Sequence, residues 1–374
     1  MLKRKLGISI YPEHAPLAEI YEYLKLAHKY EYEILFVSFV HFAEDSTKDN
    51  TIQINETIQA IKYAHELGFY VITDISLRTL KMLDIKITDL KKIKEMGVAC
   101  IRFDSPASAM TLANLTHNQY GLDVQLNMSG NDYLVDDILS YQPIIPRLSG
   151  CHNFYAQKNT GLTFDFFQKC NQKYITRKLE TTAFIGSHVG NQGPSSTNKD
   201  MTTLEELRYL SCATQAKFLF YTNEIDNVIF GNAFATEAEL KAVAEIDKYE
   251  IILKVHPCDD NSEVEMKILD FKKHARREES TDLLIRSSMS RYYFKKEAIK
   301  PKKTPTKFNQ GDVVVINEQG GSYQGEMHII LQDNYEHQDN FYNLIGKIDP
   351  DQLPLLRFIH GWSAFKLEIS KTES

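Results

Sequence analysis

The sequence predicts an α/β protein: a (β/α)8 barrel over residues 1–247 and a smaller β domain over residues 248–374. Three observations predict it. Eight short, apolar, β-rich runs follow one another through the first two thirds of the chain. Segments of helical periodicity fill the intervals between them. After Ala244 that alternation stops and alternating strand patterns replace it. Strands separated by helix-length segments pair in parallel, and eight of them match the TIM-barrel count. The alternative left by the pattern is an open, doubly wound sheet.

The runs are Leu6–Glu13, Glu33–Val40, Tyr70–Ser76, Ala99–Ser105, Asp123–Ser129, Gln142–Tyr155, Glu180–His188 and Asp226–Asn232. Each is nearly continuously apolar, as strands covered on both faces are. After the first, Leu17, Ile20, Tyr21, Leu24, Ala27 and His28 recur at helical spacing. Gly68 and Gly97 precede the third and fourth runs, where a helix end calls for a left-handed residue. Thr202 and Glu205 have the spacing of a capping box and would open another helix. In the tail, Ile251–Pro257 starts a strand-rich region, and Gly311–Asn317 and Gly325–Leu331 alternate like antiparallel strands. Lys295–Phe308 is basic and proline-punctuated and reads as a solvated loop.

Composition narrows the function. The chain has 374 residues, 43% hydrophobic and 25% charged, enough to bury a core. Its 43 basic and 50 acidic residues give a net charge of -7, which argues against nucleic acid as a partner. No apolar run is long enough to span a membrane. The first apolar run breaks at Pro12-Glu13, too early for a secretory signal. Cys100, Cys151, Cys170, Cys212 and Cys258 are odd in number and form no C-x-x-C pair. They read as reduced thiols of a cytoplasmic protein, with no metal site. Self-association is compatible with all of this.

In such a barrel the chemistry lies at the C-terminal strand ends, and residues two apart share a face. The inward set with polar ends comprises Ser9, Tyr11 and Glu13; Asp74 and Ser76; Arg102 and Asp104; Gln125, Asn127 and Ser129; Arg147, Ser149, Asn153 and Tyr155; and Asn232. Asp74, Asp104 and Glu13 are the candidate catalytic carboxylates. Tyr11, Arg102, Asn127, Arg147, His152, Asn153, Tyr155 and Asn232 are candidate substrate ligands. Blander roles stand beside these. Asp74 or Asp104 would cap a following helix. Asp104 with Arg102 would form an internal ion pair, Glu13 would be a solvated loop acid, and His152, of opposite parity, would pack behind its strand.

No lysine lies in the eight runs, so a Schiff-base nucleophile is lacking. There is no H-E-x-x-H, no G-x-S-x-G and no G-x-G-x-x-G after a strand, so no metal or cofactor is expected. Acids, amides and aromatics in one mouth suit glycoside hydrolysis. Tyr11, Phe154 and Tyr155 would stack on sugar faces. The glycine-rich loop Gly186–Ser196, with Gly190, Gly193 and Ser195, would offer backbone N–H groups to a phosphate, as loops after strands seven and eight often do. A merely flexible loop is the other reading. A phosphosugar isomerase or epimerase, or a non-catalytic sugar-phosphate sensor, remains the rival to a glycosidase.

These segments, GISIYPE (Gly7–Glu13), RFDS (Arg102–Ser105), LNMSGN (Leu126–Asn131), HNFY (His152–Tyr155) with TGL (Thr160–Leu162), TAFIGSH (Thr182–His188) and TLEELR (Thr203–Arg208), resemble the 6-phospho-N-acetylmuramidase family. The tail is similar too, in IRSSMSR (Ile285–Arg291), YQGEMHI (Tyr323–Ile329), NLIGKI (Asn343–Ile348) and LLRFIHGW (Leu355–Trp362). The resemblance implies a cyclophilin-like second domain. It also implies intracellular cleavage of the phosphorylated disaccharide N-acetylmuramic acid 6-phosphate–N-acetylglucosamine during peptidoglycan recycling. Arg286, Ser287 and Arg291 would bind the phosphate or lactyl carboxylate if the second domain leans over the barrel mouth; an interdomain ion pair is the alternative. One departure stands out. Gln192 occupies the place of a family arginine, and Met201-Thr202 that of Leu-Pro; if that arginine helps hold an anion in other members, another base must do so here.

Overall fold

Eight parallel strands close on themselves in chain order. They are β1 Lys5–Ser9, β2 Ile34–Ser38, β3 Tyr70–Ile75, β4 Cys100–Phe103, β5 Asp123–Asn127, β6 Leu148–Cys151, β7 Glu180–Ile185 and β8 Asn227–Phe230. This computed structural model describes residues 3–40, 42, 50–103, 107–194, 200–279, 281–337 and 340–370. The chain divides into two units, Met1–Ile246 and Asp247–Ser374.

Around the barrel run α1 Leu17–Lys29, α2 Thr51–Glu66, α3 Leu77–Met82, α4 Lys91–Glu95, α5 Ala109–Leu115, α6 Leu134–Ser140, α7 Phe164–Ile175, α8 Cys212–Tyr221 and α9 Glu237–Ala244. Helix α1 buries Ile20, Tyr23, Leu24 and Ala27, so Tyr23 rather than Tyr21 completes its inner face. Gly68 and Gly97 take φ of +91° and +97°, the left-handed turn expected before β3 and β4. The interior is filled by Ile34, Phe36, Ile72, Cys100, Cys151, Phe184 and Ile229. Phe36, Phe154 and Phe184 meet edge to face and roof this core. Gly7 admits no side chain there, since a Cβ would lie 2.8 Å from that of Ile34. The barrel closes where Ser9 Oγ donates to the Phe230 carbonyl and Tyr11 Oη to that of Gly231, at 2.7 and 2.6 Å.

Two expectations are corrected. The sixth strand begins at Leu148, not Gln142, because Pro146 lies in a 3-10 turn, Ile145–Arg147, that precedes it. Thr202 and Glu205 form no capping box. A short 3-10 turn, Glu205–Leu207, follows Leu204 instead, and no side chain caps it.

In the second unit the elements are β9 Ile251–Pro257, α10 Glu263–Leu269, β10 His274–Ala275, β11 Leu284–Ser287, α11 Met289–Phe294, β12 Lys307–Phe308, β13 Asp312–Ile316, β14 Met327–Ile330, β15 Tyr335–Glu336, β16 Tyr342–Ile348 and β17 Ala364–Ile369. Seven of these strands form one sheet in the order β10-β17-β9-β16-β13-β14-β11, and β12 pairs with β15. The basic segment Lys295–Phe308 is not merely a solvated loop. Lys302 pairs with the buried Glu265 at 3.0 Å, and Ile299 and Phe308 are buried.

No helix among the described residues is long and apolar enough to cross a membrane. Also among them, no group of three His, Cys, Asp or Glu side chains could hold a metal ion.

Candidate active site

The strand ends at the C-terminal face surround a cavity of about 310 Å3. The polar side chains reach it by a simple rule: each stands two residues beyond an apolar residue of the core. Ser38 follows Phe36, Asp74 follows Ile72, Arg102 follows Cys100 and Asn153 follows Cys151. Cross-strand register sets Ser38 beside Asp74 and Asp74 beside Arg102. Arg102 Nη1 lies 3.1 Å from Asp74 Oδ2, and its Nη2 donates to Asn153 Oδ1. The guanidinium is 3% exposed, so these partners are what make its burial tolerable. Tyr11, Phe36, Phe154, Tyr155 and Phe184 supply aromatic walls.

Behind this cluster runs a hydrogen-bonded chain. The Asn153 amide donates to Ser129 Oγ at 2.8 Å, and Ser129 Oγ lies 3.2 Å from His152 Nδ1. His152 Nε2 contacts Asn171 Oδ1 at 2.7 Å, and Asn171 Nδ2 donates to Glu224. An amide oxygen only accepts, so Nε2 carries the proton and Nδ1 accepts from Ser129. Burial pushes the His152 pKa down to about 4, which keeps the ring neutral. The ring stacks on Phe167. His152 therefore borders the cavity with both nitrogens engaged, an arrangement that positions Ser129 and, through it, Asn153.

A second device explains why TGL and TLEELR accompany HNFY. The Glu205 carboxylate accepts the amides of Asn159 and Gly161, each at 2.8 Å. Arg208 donates to Glu205 and to the carbonyls of Tyr155, Gln157 and Asp200. These arginine bonds, with the two amides, hold the Glu205 pKa down to about 2. A Cβ on Gly161 would strike Glu205 at 2.8 Å. The clamp fixes the segment that carries Tyr155. Residue types and spacing alone do not reveal it, because its partners lie up to 53 residues apart.

The other candidates separate clearly. Glu13 sits in a 3-10 turn, Pro12–His14, after β1; its side chain is 9% exposed, so it is no solvated loop acid. Burial, then the charges of Glu13 and Asp74, raise the Tyr11 phenol well above its ordinary pKa, which places all three groups within electrostatic reach. Asn127 Oδ1 accepts the Ser129 amide and turns the chain after β5. Asn232 is a buried staple, bonded to Ser187 and Gly190, and is corrected as a ligand. Arg147 is corrected too: it ends the turn before β6, at the opposite face, and donates to the carbonyls of Thr116 and Asn118.

The glycine-rich loop does not present its first amides to an anion. Those of Gly186, Ser187, His188, Val189 and Gly190 are engaged by Gln215, Asn232, Glu239 and Ser187. The Glu239 carboxylate would moreover repel a phosphate. Gly193 is buried beside Pro194 of the cavity wall. Gln192 donates to the His14 carbonyl and its own carbonyl accepts from Ala233, tying this loop to the ends of β1 and β8. Asp104 and Ser195 lie outside the described residues. In the second unit Ser287 is buried, its Oγ 2.8 Å from His274 Nδ1, which corrects it as an anion ligand. Arg286 and Arg291 both pair with Glu326 of the same unit.

Among solved structures, an uncharacterized B. cereus protein shares 34% identity with the chain and superposes with a TM-score of 0.88, covering 98% of this chain and 100% of that one. A conserved Enterococcus faecalis protein of unknown function shares 22% identity at a TM-score of 0.71, with 98% and 97% covered; it shows the fold. No curated protein matches the chain. Family models described as 6-phospho-N-acetylmuramidase, N-terminal and C-terminal, match residues 6–245 and 251–368. With the barrel-mouth cluster of Asp74, Arg102 and Asn153 in place, the chain belongs to the 6-phospho-N-acetylmuramidase family, a family of glycosidases.

Proposed function

We propose that this enzyme hydrolyses the glycosidic bond of N-acetylmuramic acid 6-phosphate–N-acetylglucosamine. The observation that carries the reading is a charge-paired carboxylate, Asp74, in an aromatic-walled cavity at the barrel mouth. Glycosidic cleavage builds positive charge at the anomeric carbon, and a carboxylate fixed beside it lowers that barrier. Arg102 and Asn153 hold Asp74 in place. Glu13, buried near Tyr11, is the candidate proton donor to the leaving oxygen, and Asp104 the candidate second carboxylate on the β4 side. The acetamido group of the substrate is a further nucleophile for the same cavity. Phe154 and Tyr155, partly exposed on the cavity wall, offer faces for sugar rings. A sugar 6-phosphate is made and kept inside cells, which supports a cytoplasmic role in recycling of wall fragments.

The test compares the disaccharide with and without its 6-phosphate. Release of reducing sugar from the phosphorylated compound alone is the expected result. Equal rates would remove the phosphate from the reading. Solvent deuterium entering a monosaccharide phosphate without bond cleavage would point to an isomerase, and binding without turnover to a sensor.

A further inference from the structure

A cavity of about 450 Å3 lies within the second unit. It rests on one face of the sheet. Register sets Arg286 on β11 opposite His328 on β14, and His328 opposite Val314 on β13. Leu284, Ile316 and Tyr342 form its buried base, with Phe341 and the half-exposed Tyr323 at the sides.

Under this apolar space sits an ion cluster. The Glu326 side chain is 0% exposed. Arg286 donates to Glu326 Oε1 from Nε at 2.9 Å and from Nη2 at 2.8 Å. His328 Nε2 lies 3.0 Å from the same oxygen, and Arg291 Nη1 lies 3.3 Å from Oε2. Two guanidinium groups thus meet one carboxylate, leaving the cluster one positive charge in excess. Arg286 Nη1 is bonded to none of the described residues.

We infer that this cavity binds a small organic monoanion with a flat apolar body, such as an aryl carboxylate, its charge on Arg286 and its body against Leu284, Ile316 and Tyr342. The size suits a small-molecule site, and the recipe of mostly apolar walls with a few convergent polar groups is the usual one. A free sugar is disfavoured, because most of its hydroxyls would face apolar walls unpaired. A cation is disfavoured because Glu326 is already engaged by two arginines and a histidine. Arg286 spends Nε and Nη2 on Glu326, so it offers an anionic ligand a charge-assisted hydrogen bond from Nη1.

Methyl-resolved NMR of the full chain, titrated with benzoate and with neutral benzyl alcohol, tests this. Saturable shifts at the Leu284 and Ile316 methyls are expected with benzoate, and binding about tenfold weaker with the alcohol. Arg286→Gln should erase the preference. That change strips a partner from buried Glu326, so a second variant that leaves the core intact is needed. Leu283 is 42% exposed at the rim, and Leu283→Glu puts a repelling charge there. It should weaken benzoate about tenfold and leave benzyl alcohol unchanged. Asp74→Asn should leave benzoate binding as it was, which separates this cavity from the barrel mouth. No saturable shift at these methyls, equal binding of the two probes, or indifference to Leu283→Glu would each overturn the inference.

Discussion

Arg102 governs its surroundings because a buried guanidinium must have its charge answered. Asp74 answers it and also faces the cavity. Replacing Asp74 with Asn keeps shape and one hydrogen-bond acceptor but removes the charge. Turnover of the phosphorylated disaccharide should drop by about two orders of magnitude or more, with the circular dichroism spectrum unchanged. Normal turnover would end Asp74's role. Ser129 links Asn153 to the buried His152. It accepts from the Asn153 amide and faces His152 Nδ1, so Ser129→Ala leaves two buried groups without their partner. A loss of about 1–3 kcal/mol in urea unfolding is expected. Catalysis should fall with it, because Asn153 is what steadies Arg102. A variant that is destabilised yet fully active would reduce the chain behind the cluster to scaffolding.

Among elements, the segment after β6 shows what a sequence reveals and what it hides. The strands themselves were legible, since continuous apolar runs at these lengths have few other uses. So were Asp74, Arg102, Asn153 and Tyr155, because alternation assigns faces without reference to distant residues. The misreadings share one cause: the sequence shows donors and acceptors but not who meets whom. Amides in the glycine-rich loop looked available to a phosphate, yet Gln215, Asn232 and Glu239 take them from 29 to 51 residues away. Glu205 had the spacing of a cap and instead grips the loop at Asn159 and Gly161. Arg147 had inward parity, but a proline turn holds it just ahead of the strand, which starts only at Leu148. The Glu205–Arg208 clamp gives a direct test. Arg208→Met leaves three carbonyls and a part-buried carboxylate without their common donor, and should cost about 1–3 kcal/mol. Thermal unfolding should show a clear early transition, while Arg208→Lys, lacking the fork, should recover only part of the loss. An unchanged melting curve for Arg208→Met would refute the clamp.

At the scale of the whole molecule, each unit carries a buried histidine that resists protonation. His152 in the barrel and His274 in the second unit both have pKa values pushed down to about 4 by burial. Unfolding returns each ring to its ordinary value near 6.5, so between those two values the unfolded chain binds more protons. The stability tied to each neutral ring is therefore complete above about pH 6.5 and drains away as pH falls toward 4, to the extent of about 3 kcal/mol per ring. Denaturant unfolding measured across that window should show stability rising with pH, and His152→Gln or His274→Gln should flatten the slope. A slope indifferent to both variants would contradict the burial argument. The barrel seam has a consequence of another kind, for the chain as it is made. Ser9 meets Phe230 and Tyr11 meets Gly231, 221 and 220 residues later. A ribosome adds about 5–20 residues per second, so the first strand waits tens of seconds for its neighbour. Throughout that time one flank of β1 is an apolar edge open to other chains. How long the nascent protein needs a chaperone's cover is thus set by where β8 falls in the message, not by how firmly the finished barrel holds.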